Sequence, residues 1–139
     1  MRSFLTLTLS LAASTALAGE LPTIVNQPAT ELAWERTAEG VAFAPLIGDR
    51  FVEPYMAMVR LPAGLVSPAH VKSADMYGLV LEGVMTHAAA GAADGVALPA
   101  GSFYRVPAGL AHVSACVSAD DCVTFLYQDG AFDFVPVPR

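Results

Sequence analysis

From Gly40 to the C-terminus the chain is a succession of short β-forming runs punctuated by Pro and Gly, with no helical period of useful length. The runs are 41–47 (VAFAPLI), 54–62 (PYMAMVRLP), 76–83 (MYGLVLEG), 84–89 (VMTHAA), 102–107 (SFYRVP), 112–117 (HVSACV), 122–128 (CVTFLYQ) and 132–137 (FDFVPV). So dense a series of strands predicts an all-β fold, a sandwich or jelly-roll barrel, in a single domain. The Ala/Gly-rich stretch 87–98, with Asp94-Gly95 as its turn pair, reads as a hairpin connection.

Ahead of this pattern, residues 1–18 read as a signal peptide. Arg2 gives a short positive start, Phe4 to Ala13 an apolar run, and Ala16-Leu17-Ala18 an A-x-A processing site, so cleavage is expected after Ala18. The apolar run is about half the ~20 residues that span a bilayer, so no membrane anchor is expected after cleavage. Without an Arg-Arg pair the route is of the Sec type, and the destination periplasmic or secreted. Residues 19–40 form an N-terminal arm. Its Thr30–Arg36 stretch either begins a helical turn capped by Thr30 or lies over a sheet with Trp34 buried. Residues 41–139 form the barrel domain.

The chain carries 7 basic against 13 acidic residues, a net charge of −6. It lacks the cationic surface that phosphate backbones require, which excludes nucleic acid as a partner. Two cysteines in an exported chain predict a Cys116–Cys122 disulfide, and the SADD stretch between them reads as the turn of a hairpin. The strand at 76–82 is apolar on both faces, Met76 and Val80 on one, Tyr77, Leu79 and Leu81 on the other. Its second face predicts either a homodimer through this sheet or cover by the N-terminal arm.

Two segments stand out by spacing: Gly64-LVSPA-His70-Val71-Lys72-SAD-Met76-YGLVLE-Gly83, and Gly101-SFYRV-Pro107-Ala108-Gly109-LA-His112-VSA-Cys116. With a 17-residue gap between them, they resemble the two motifs of the cupin superfamily, the RmlC-like jelly rolls. The run HVKSADMYGLVLEG, the upstream Gly48-Asp49 and the PAGLAHVSA stretch look like the DUF4437 and ChrR-like cupin group. The resemblance implies a jelly-roll barrel with a central pocket and, in most members, a divalent metal on three imidazoles and one carboxylate.

The departures bear on function. His70 and His112 match two imidazole positions, but Lys72 stands where the second histidine of the first motif belongs and Met76 where its glutamate belongs. An ammonium has no lone pair for a metal, and a thioether suits Cu(I) rather than Mn, Fe(II) or Zn. Asp75 completes a triad with His70 and His112 only if a bulge turns it inward. Arg105 either adds a second cation to the pocket wall or makes an outward salt bridge; His87 is expected at the surface.

The leading expectation is an exported protein that binds a small anionic or oxygen-rich molecule, with a degenerate metal site. Its pocket residues are His70, Lys72, Met76, Arg105 and His112. The alternative is a metal-dependent dioxygenase, isomerase or lyase holding one Fe, Mn, Ni or Zn ion on His70, His112 and Asp75. A third is a sensory or interaction module.

Overall fold

The computed structural model describes residues 23–138; the expected signal peptide and cleavage position after Ala18 lie outside these described residues. A single 3₁₀ turn (Ala29–Glu31) is followed only by strands: β1 (Glu35–Arg36), β2 (Ala42–Ile47), β3 (Tyr55–Leu61), β4 (His70–Val71), β5 (Met76–Glu82), β6 (Val84–Ala89), β7 (Leu98–Pro99), β8 (Phe103–Val106), β9 (His112–Cys116), β10 (Cys122–Gln128) and β11 (Val135–Pro136). They form two antiparallel sheets, β1-β2-β3-β10-β5-β8 and β11-β4-β9-β6-β7, packed face to face as a jelly roll.

Strand alternation decides what faces the interior. In β3, Tyr55, Ala57, Val59 and Leu61 are buried while Met56, Met58 and Arg60 are only half-buried on the other face. Their neighbours follow by register: Leu126 beside Ala57, Val80 beside Thr124 and Tyr104 beside Gly78 all point inward. Gly78 is required by close approach, since a Cβ there would lie 2.2 Å from the Tyr104 ring. At the β5–β6 corner, Gly83 combines a φ of 75° with Cys122 Sγ 2.8 Å from where its Cβ would be.

Cys116 and Cys122 are disulfide-bonded, their Cα atoms 5.7 Å apart. They do not close a hairpin, because β9 and β10 belong to different sheets. The bond ties the two sheets together where the chain crosses between them.

The arm combines parts of both expected forms. Thr30 lies inside the 3₁₀ turn and caps nothing; the capping position is Pro28. Trp34 is half-buried beneath the Arg60 guanidinium, 4.4 Å from its ring centroid, and β1 extends the β2 edge. That edge is opposite β8, so the described part of the arm leaves the outer side of β5 uncovered, where Leu79 is 43% and its cross-strand neighbour Phe103 62% exposed. The last run is a strand only at Val135–Pro136; Phe132–Phe134 crosses instead toward the barrel interior.

Candidate functional site

Between the sheets lies a cavity of about 630 Å³, with Phe43, Val59, Leu61, Met85 and Leu126 among its apolar walls. His70, Lys72 and His87 reach it, as do Thr124 and Gln128 from β10, and Thr37, Glu39, Ser67 and Ser114 add further polar groups to its lining.

His70 on β4 and His112 on β9 are register partners, and their rings lie 4.2 Å apart. Each ring is fixed the same way. Nδ1 of His70 donates to the Pro68 carbonyl at 2.9 Å, and Nδ1 of His112 to the Leu110 carbonyl at 3.0 Å. A carbonyl only accepts, so both rings carry their proton on Nδ1 and a lone pair on Nε2. Burial pushes His70 down to about 4, opposed by the Pro68 carbonyl and reinforced by repulsion from His112 and Lys72. His112 is lowered too, again chiefly by burial. His70 faces the cavity and stacks on Phe134 at 4.0 Å; His112 does not line it and lies against His70, its Nε2 buried without a partner among the described residues.

Lys72 is 4% exposed and lines the cavity. Its ammonium donates to the main-chain carbonyl of Asp133 and lies 3.7 Å from the Phe132 ring centroid. The Asp133 carboxylate is occupied elsewhere, accepting the Ser73 amide at 3.0 Å. Burial pulls the lysine down to about 8, against the attraction of Asp133.

Besides His112, two expected site residues lie outside the cavity. Arg105 alternates with the buried Tyr104 and Val106, so it points outward and pairs with Asp75 at 2.6 Å. Asp75 is turned away from the cavity by the same alternation, beside the inward Met76, and accepts from Arg105, Tyr77 and the Ala108 amide. Those hydrogen bonds, the Ala108 amide first, hold its carboxyl down to about 2. No bulge turns it inward: the β5–β8 register runs unbroken from Met76.

His87, expected at the surface, lines the cavity. Its Nδ1 is 2.9 Å from Ser114 Oγ, its ring packs on Tyr104 at 4.1 Å, and its Nε2 is buried and unpaired among the described residues. Burial pushes it also to about 4. Period-two alternation from the buried Met85 is the signal that finds it.

These residues do not fit a metal held by three imidazoles and a carboxylate. The carboxylate position is Met76, Lys72 places a cation beside His70, and among the described residues no group of three or more His, Cys, Asp or Glu converges on one point.

A two-sheet antiparallel jelly roll with its cavity between the sheets, and with paired histidines from the two motif strands, is a cupin. The chain belongs to the ChrR cupin-like domain family, whose profile matches residues 24–132. Among solved structures it is similar to the polyketide cyclase RemF from Streptomyces resistomycificus, with a TM-score of 0.68 at 15% identity over 84% of this chain and 87% of that one. It is similar to KdgF from Halomonas sp., with a TM-score of 0.61 at 19% identity over 76% and 94%. A chain of the Rhodobacter sphaeroides SigE complex with the anti-sigma ChrR matches with a TM-score of 0.56 at 20% identity, over 73% of this chain and 51% of that chain. At such identities the likeness is one of fold. No curated protein matches the chain.

Proposed function

We propose that this cupin binds a small molecule with an apolar body and an oxygen-rich or anionic head, using the cavity without a resident metal. The observation that carries the reading is Lys72, buried beside His70 in the cavity wall where the resemblance would place a metal-binding imidazole. The neutral Nε2 of His70 accepts a hydrogen bond from a ligand hydroxyl, and the ammonium donates to a ligand oxygen. The apolar walls receive the rest. Calorimetric titration with 4-hydroxybenzoate and related small carboxylates tests this. Lys72→Met and His70→Ala should each weaken binding about tenfold or more; unchanged affinities would remove the reading.

The reading includes export. It is supported by the leader's composition together with the disulfide, which persists in oxidising compartments. The mass of protein recovered from the periplasm should begin at Gly19. It also includes self-association through the outer side of β5 and β8, supported by Leu79 and Phe103. A monomer in sedimentation at micromolar concentration would remove that part.

A further inference from the structure

Lys72 is the chain's only lysine, and it is one of the most buried polar residues of the barrel. Among the described residues no carboxylate pairs with it. An ammonium in this setting costs the fold stability, and an apolar side chain of similar length would pack there at less expense. Its surroundings are those of a reactive amine. The nitrogen sits at the wall of a cavity, walled by Phe132 and Phe134, with one main-chain carbonyl as its acceptor.

We propose that Lys72 is a nucleophile that captures aldehydes or ketones in the barrel as imines. The proposal rests on the reading of the cavity as a small-molecule site and assigns it a covalent chemistry. The free amine attacks the carbonyl carbon to give a carbinolamine. The C–O bond then breaks, the oxygen leaves as water with the two amine protons, and a C=N bond to Lys72 remains. No oxidant or reductant is consumed. A protonated imine keeps one N–H, which the Asp133 carbonyl accepts in place of the ammonium's. The aromatic walls limit the water that would hydrolyse the adduct. Burial, which holds the ammonium near 8, leaves a usable fraction as free amine at neutral pH.

The chain's composition makes the test clean, because the protein has two primary amines, Lys72 and the α-amino terminus. The folded protein is incubated with 4-hydroxybenzaldehyde and sodium cyanoborohydride, which reduces any imine to a stable secondary amine, and the adducts are located by peptide mapping. Lys72 should be alkylated about tenfold faster than the terminus, and Lys72→Arg should leave the terminus as the labelled position. Labelling of Lys72 no faster than the terminus would overturn the proposal, and this comparison needs no variant to fold. Titration with 4-hydroxybenzoate, whose carboxylate forms no imine, runs in parallel. Binding without preferential Lys72 labelling removes the imine and keeps the cavity reading; neither binding nor labelling removes both.

Discussion

His70 and His112 face each other across β4 and β9 with both Nδ1 protons donated to main-chain carbonyls two residues upstream, which leaves two neutral imidazoles in contact inside the barrel. Neutral burial has a pH signature. His70 and His87 are pushed from 6.5 to about 4, so between those values the unfolded chain binds more protons than the folded one. Stability therefore falls as pH falls through that window. We expect a loss on the order of 1–2 kcal/mol per imidazole between pH 7 and pH 5. Urea unfolding at the two pH values measures it, with His70→Gln and His87→Gln each flattening the dependence. Equal midpoints in the parent protein would contradict the burial argument.

Gly78→Ala places a methyl group inside the Tyr104 ring and so displaces the phenol that hydrogen-bonds Thr124 at 3.0 Å. The expected cost is about 1–3 kcal/mol, as for other overpacked cores. Tyr104→Ala in the same background should recover part of it in a double-mutant cycle.

Reduction of Cys116–Cys122, or their joint replacement by alanine, releases a short loop at the crossover between the sheets. Loop entropy predicts about 2 kcal/mol of destabilisation. Urea midpoints with and without dithiothreitol give the value, and an unchanged midpoint would show that strand pairing alone holds the crossover.

Arg105→Ala should leave both the unfolding midpoint and cavity affinities unaltered, since its partner Asp75 keeps the Ala108 amide and the Tyr77 hydroxyl. A ligand affinity that collapses in this variant would bring Arg105 back to the site.

Elemental analysis of protein matured in the periplasm, before and after incubation with Fe(II), Mn(II), Ni(II) or Zn(II) and desalting, should find metal well below stoichiometric. A stoichiometric ion lost in both His70→Ala and His112→Ala would replace the metal-free reading with an enzymatic one.

Much of the barrel was legible because sheet formation follows local alternation. The runs at 54–62, 76–83 and 122–128 became β3, β5 and β10 within a residue or so at each end. The two-residue strands β4 and β7 escaped, since they carry too short a pattern to show a period. The disulfide partners were legible but their setting was not, because which sheet a strand joins depends on pairings across the whole chain. At the site, the motif spacing brought out His70 and His112, whereas Arg105, expected among the pocket residues, points outward in alternation with the buried Tyr104 and Val106. The burial of Lys72 had no local signal. It is produced by Phe132 and Asp133, some 60 residues downstream, folding back over it.

β10 pairs with β3 on one side and β5 on the other, so the middle of the larger sheet is filled by a strand that comes next to last in the chain. Until Cys122–Gln128 has been made, β3 and β5 have no common neighbour, and the disulfide that joins the sheets lacks one of its sulfurs. A partly synthesised chain therefore has no stable barrel in which to become trapped. That order of assembly agrees with the proposed export, under which folding, oxidation and closure of the cavity would all follow passage through a narrow translocation pore.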